Sequence, residues 1–185
     1  MYSEILILAM LRQGPRHGYE LKKEIDRALG GMVTLNNKTL YLALKRFEEM
    51  GAVTRQVISQ EGKPNRHLYE LTERGIELLQ AYLRDFGPEQ AGADAEFFTR
   101  VAFFDLLEVQ EREGILTTRL VYLEACLEYL QNLQQIADSD KDCAPSMGIS
   151  MSYAQRVLAF HTRRIRDEYH WIDSWLEEMQ ANSSS

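Results

Sequence analysis

The chain is poor in cysteine: Cys126 and Cys143 are the only two, and no CxxC pair occurs. That excludes a disulfide framework and points to free thiols in a reducing compartment. The histidines His17, His67, His161 and His170 have no metal-ligand spacing with one another or with the cysteines, so no metal site is expected. Long apolar runs are also missing. Ile5 to Leu11 is too short to cross a bilayer and follows Glu4 rather than a basic segment, so neither a membrane span nor a signal peptide is expected, and a cytoplasmic protein is. GxSxG, HExxH and a phosphate-cradling glycine loop are absent, and the carboxylates lie on amphipathic helix surfaces. No enzyme and no cofactor are expected.

Charge is present but unevenly placed. Residues 1–85 hold 13 Lys+Arg against 11 Asp+Glu, whereas residues 86–185 hold 8 against 17. The net charge of −7 is therefore carried by the second half, and a polyanion would meet the first. Two jobs are implied, with cation placement rather than net charge deciding the question of nucleic acid.

The first half reads as helix, helix, helix, two strands, helix. Residues 3–12 form an apolar helix that Gly14-Pro15 breaks. Residues 17–29 place Leu21, Ile25, Ala28 and Leu29 on one face, and Gly30-Gly31 suit a left-handed end. Asn36 or Asn37 caps a third helix, which Gly51 stops. Val53 to Ile58 and Arg66 to Leu71 read as strands around a Gly/Pro/Asn turn. Thr72 caps a helix over about 73–85. Gly87-Pro88 and the small polar run to Ala93 look like a linker.

The second half is helical, over 94–112, 117–136 and 151–180, with a loop from Asp138 to Ser150. Its 3–4 apolar spacing (Leu120, Leu123, Leu127, Leu130; Leu158, His161, Ile165, Ile172, Trp175, Met179) suits antiparallel packing or a coiled coil. A domain this small has little core of its own, which favours packing between molecules.

Helix, turn, helix and hairpin together make a winged helix-turn-helix. In the third helix Leu40, Ala43, Leu44 and Phe47 must face inward. Lys38, Tyr41, Leu42 and Lys45 then share the outer face. Glu48 and Glu49 stand at the far end, and recognition helices use mainly their N-terminal turns. Lys63 and Arg66 flank Pro64 at the hairpin tip. Each cation read alone is an ordinary solvated side chain. Together they occupy the two places where this fold touches a duplex, so double-stranded DNA is the expected partner.

The same residues resemble the PadR family of transcriptional regulators. The resemblance rests on His17-Gly18-Tyr19-Glu20-Leu21, then Thr39-Leu40-Tyr41 with Leu44 to Gly51. It continues in Gly62 to Arg66 and in Tyr69-Glu70-Leu71-Thr72-Glu73-Arg74-Gly75. It covers residues 4–85, and the second half is similar, more loosely, to the helical C-terminal domain of the larger, virulence-activator-like subgroup. It implies a homodimer on an inverted-repeat operator, most often a repressor, released by a small aromatic or hydrophobic effector. Thr39, Tyr41 and Lys45 match the family's DNA-facing helix, and Lys63 and Arg66 its wing. Leu42 stands where many members have proline and Lys38 where many have a small residue or glycine, so no operator preference transfers.

The expected architecture is thus mainly α with a small β-wing. A winged helix-turn-helix DNA-binding domain (1–86) leads through a linker (87–93) to a helical dimerisation domain (94–180) and a tail (181–185). An activator of the same family, or a winged-helix interaction module without DNA binding, is the alternative. Phe97, Phe98, Phe103, Phe104, Tyr122, Tyr129, Tyr169, Trp171 and Trp175 form either an effector pocket or a core and dimer interface. His17 is expected to cap or pack. Tyr19 either packs or donates its hydroxyl to phosphate.

Overall fold

The computed structural model describes residues 1–60, 63–139 and 151–183. Glu61 and Gly62 of the expected turn, most of the expected 138–150 loop and the end of the tail lie outside these residues. So do the side chains of Lys63, Pro64 and Asn65. The described chain forms two compact units, 1–112 and 113–185.

The first unit is built around α1 (Tyr2–Arg12), in which Ser3, Ile5 to Ala9 and Leu11 are all buried. A helix apolar on nearly every side must be surrounded. It packs against α2 (Gly18–Arg27), α3 (Asn37–Glu49), α4 (Glu73–Arg84), α6 (Asp94–Val101) and the sheet. The sheet has three antiparallel strands in the order β1-β3-β2: β1 (Arg16–His17), β2 (Val53–Gln60) and β3 (Lys63–Leu71). Val53 opposes Leu71, and Ile58 opposes Arg66. The hairpin is the expected wing. Strand β1 is an addition that no sequence pattern announced: its two residues pair with Tyr69 and Leu68.

Helix α2 ends at Arg27, earlier than its apolar spacing predicts, because Leu29, Gly30 and Gly31 all turn left-handed (φ 53°, 61° and 82°). The glycines do this without cost; Leu29 does not. A short helix α5 (Pro88–Ala91) occupies part of the stretch read as linker. The helix expected over 94–112 divides. Helix α6 stops at Val101, a 3-10 turn spans Phe104–Leu106, and Leu107 is extended. The next helix, α7 (Val109–Ser139), starts where the Glu108 N–H donates to the Glu111 carboxylate (2.9 Å).

Arg100 of α6 is fully buried and explains why this helix packs with the first unit. Its guanidinium donates to the carbonyls of Tyr82 (3.1 Å) and Asp85 (2.7 Å), near the end of α4. Those carbonyls lack helical partners, so the arginine completes the helix end. The Glu96 carboxylate accepts from Arg100 (2.7 Å) and from the Tyr2 N–H (2.9 Å). Burial alone would raise the Glu96 pKa. The hydrogen bonds from Arg100, the terminal ammonium and Tyr2 hold it below the ordinary carboxylate value.

The second unit contains the rest of α7 and α8 (Met151–Ser183). Ile115, Leu116, Leu123 and Leu130 are buried along one stripe of α7, and Ile165 and Ile172 on α8. Arg119, nearly buried, donates to Glu168 (2.8 Å) and ties the two helices.

Candidate nucleic-acid interface

Helix α3 is fixed at both ends. The Asn36 side chain accepts from the Thr39 N–H (2.8 Å) at its start. At its end Gly51 turns left-handed (φ 70°), Gly51 N–H donates to Glu48 and Ala52 N–H to Phe47. This is a Schellman ending, for which glycine is the residue of choice. Thr72 then locks the junction. Its hydroxyl donates to the Gly51 carbonyl (2.8 Å) and accepts from the Gly75 N–H (3.1 Å). Gly75 is needed there, since a methyl group on it would lie 2.2 Å from the Ala52 carbonyl oxygen.

The inner face of α3 is as expected: Leu40, Leu44 and Phe47 are fully buried, and Ala43 nearly so. The outer face presents the predicted set. Lys38, Leu42 and Lys45 are exposed, Thr39 is half-buried, and Tyr41 is 46% exposed. Lys45 Nζ lies 3.8 Å from Glu49, a loose surface pair. On the wing, Arg66 is exposed on β3, and Lys63 begins that strand. Beyond Val53, β2 is exposed on both faces, Val57 and Ile58 included. The described wing therefore stands away from the core.

Three residues join helix to wing, a tie that sequence reasoning missed. Arg55 of β2 pairs with Glu48 of α3 (3.2 Å) and sits opposite Tyr69 in the ladder. Tyr69 is buried, and burial pushes its hydroxyl pKa up; Arg55 opposes that rise, while Tyr41 and Glu48 add to it. The signal available in the sequence was the strand alternation that puts Arg55 and Tyr69 in register, but the tie to Glu48 needs the fold. On the other side of α3, Arg46 pairs with Glu4 of α1 (2.8 Å).

His17 packs and caps locally. Its Nδ1 lies 3.1 Å from the His67 carbonyl oxygen, and its N–H donates to Glu20 (3.3 Å). Tyr19 is 74% exposed, so it does not pack into the core. Gly18, at the first position of α2, is buried beneath the Tyr41 ring.

The C-terminal aromatic set is dispersed. Phe97 and Phe104 are buried in the first unit, whereas Tyr129 is exposed and Trp171 meets Trp175 at a tilt of 42°, with 5.5 Å between ring centres. A cleft of about 230 Å³ is lined by Arg12, Ile76, Leu79, Gln80, Asp105 and Leu106, none of that set. Among the described residues no cluster of His, Cys, Asp or Glu could hold a metal ion, and no helix is long and apolar enough to cross a membrane.

The sequence pattern of the transcriptional regulator PadR-like family matches residues 7–81, from α1 into α4. The negative transcriptional regulator PadR of Bacillus subtilis is 26% identical over 95% of this chain and 93% of its own. Its crystal structure with operator DNA is similar at 24% identity, with a TM-score of 0.45 over 97% of this chain and 99% of that one. Its complex with p-coumaric acid gives 23% and 0.40, over 97% and 96%. Residues 7–81, with α3 and the wing inside them, form a PadR-like transcriptional regulator domain.

Proposed function

We propose that this regulator binds double-stranded DNA through the outer face of α3 and the wing, as a homodimer on an inverted-repeat operator, and that it represses. The observation that carries the proposal is the two-sidedness of α3. Its inner face is fully buried and both ends are pinned, while Lys38, Tyr41, Leu42 and Lys45 stand exposed together. A helix so fixed presents its outer residues at one angle, which groove recognition needs. Lys38, Lys45, Lys63 and Arg66 serve the phosphates; Thr39 and Leu42 reach base edges, Leu42 suiting a thymine methyl.

Residues 1–86 supply the DNA-binding domain in this reading and 94–180 the dimerisation domain, since one module covers only a half-site. Repression is supported by the negative regulator of B. subtilis that matches 95% of the chain. The proposal includes release by a small aromatic or hydrophobic effector, for which p-coumaric acid is the first compound to test. It involves no covalent chemistry and acts in the cytoplasm.

The test is selection of duplexes from a randomised pool by the full chain, followed by gel shifts over a salt series. The expected result is an enriched inverted repeat whose half-sites lie one or two helical turns apart, bound with steep salt dependence. Retention of no DNA at low salt overturns the proposal and favours an interaction module.

A further inference from the structure

The outer face of α3 is not uniform. Leu42 and the two lysines stand out from the helix, but the Tyr41 ring leans onto the start of α2. A methyl group on the Gly18 Cα would lie 2.8 Å from both Tyr41 Cε1 and Oη, and 3.1 Å from Cζ. Real carbon atoms do not approach so closely. The hydroxyl end of the ring therefore occupies space that only glycine leaves open at that position. Gly18 has no need of glycine for its backbone, since it lies inside a regular helix turn and its φ is not left-handed. The requirement is the close approach.

This fixes where the phenol points. In a helix-turn-helix the second helix of the pair enters the groove and the first crosses the DNA backbone. Here α3 is the former and α2 the latter. A hydroxyl held over the first residue of α2 lies on the backbone side, not above the base edges. Tyrosine hydroxyls donate to phosphate oxygens in many complexes, and Tyr41 keeps 46% of its surface exposed to do so.

We infer that Gly18 is a positioning residue for DNA binding: it seats Tyr41 so that the phenol hydroxyl contacts a phosphate rather than a base. The inference rests on the proposed function. It sets Tyr41 apart from Thr39 and Leu42, to which the proposed function gives the base edges.

The two roles give opposite signatures. A neutral hydroxyl neutralises no phosphate, so its loss leaves the salt slope alone, whereas losing a lysine contact lowers it. The experiment measures binding of Tyr41→Phe, Gly18→Ala, the double variant and Lys45→Ala to the selected duplex and to a random duplex of equal length, over a salt series. Tyr41→Phe is expected to weaken both duplexes alike, by about tenfold, the usual order for a hydrogen bond to a charged group. The salt slope stays unchanged. Gly18→Ala is expected to weaken both to a similar extent, with a melting temperature close to wild type. Added to Tyr41→Phe it is expected to cost little more, since the contact is already gone.

Full additivity of the two substitutions overturns the positioning role and leaves Gly18 a packing residue. Loss on the selected duplex alone, with random DNA bound as before, overturns the phosphate contact in favour of base reading. Should Gly18→Ala not fold, Tyr41→Phe, which keeps the ring, still separates phosphate from base. If Tyr41→Phe and Lys45→Ala both bind every duplex as wild type does, the proposed assignment of DNA binding to the outer face of α3 fails. If only Lys45→Ala weakens binding, this inference alone fails.

Discussion

The two compact units solve the problem of a core in different ways. The first surrounds one apolar helix, α1, with four helices and a sheet. The second has two long helices, each buried along one stripe, and leaves Tyr153, Val157 and Phe160 of α8 exposed at successive turns. A unit with a closed core stands on its own packing. A unit that exposes aromatic and aliphatic groups at helical spacing has apolar surface to spare, which in a dimeric regulator is where a second copy belongs. The difference teaches that stability and assembly are separable here, and substitutions can show it.

The largest effect is expected from Phe47→Ala, at the inner face of α3. Phe47 is fully buried, and emptying such a site costs about 3–5 kcal/mol. Urea unfolding measures it. A matching Phe160→Ser in the second unit is expected to change the unfolding free energy of the dilute chain by less than about 0.5 kcal/mol, as exposed positions do. Comparable losses at both sites would break the contrast.

Arg100→Ala is expected to come next, at about 3 kcal/mol, because it strands part of the Glu96 charge and two carbonyls at the end of α4. The same cluster predicts a pH dependence. Glu96 is held below the ordinary value of 4.5, so its contribution is complete above that value and is lost as pH falls through its lowered pKa. Thermal unfolding of wild type should therefore weaken with acid more steeply than that of Glu96→Gln below about pH 4.5. Equal slopes would remove Glu96 from the account.

In the second unit the readout is assembly. Phe160→Ser, silent in folding, is expected to raise the dimer dissociation constant at least about tenfold, a change of 1.4 kcal/mol or more. Analytical ultracentrifugation checks it. An unchanged dimer would move the interface off the Tyr153–Phe160 face of α8.

How far the sequence revealed these regions follows from the range of the forces. The face of α3, its Asn36 cap and Gly51 stop, and the Thr72 cap of α4 are set within a few residues, and periodicity and capping rules found them. Strand β1 escaped because two residues carry no alternation; partners some fifty positions away, Leu68 and Tyr69, create it. The break between α6 and α7 escaped because Glu108 is not a customary cap and the apolar run reads through it. The burial of Arg100 carried no local signal, since it depends on carbonyls of α4. Lys38, Tyr41, Leu42 and Lys45 were legible as a face, but the lean of Tyr41 onto Gly18 was not. Which side of a helix is exposed is local information; which neighbour an exposed ring rests on is not.

The smallest effect distinguishes the two units by their cations. Lys45 lies 3.8 Å from Glu49, and both side chains are mostly exposed, so Lys45→Ala should leave stability within the small range of surface pairs. If Lys45 meets a phosphate, its removal lowers the slope of log affinity against log salt by about 0.9, on operator and random DNA alike. The basic residues of α8 set the control. Arg163 is exposed, carries the same charge and lies in the acidic half, where repulsion by the surrounding carboxylates keeps a duplex away. Arg163→Ala should leave the slope as it is. A drop for Arg163 equal to that for Lys45 would mean that the second unit also follows the backbone, and that the DNA path extends beyond α3 and the wing.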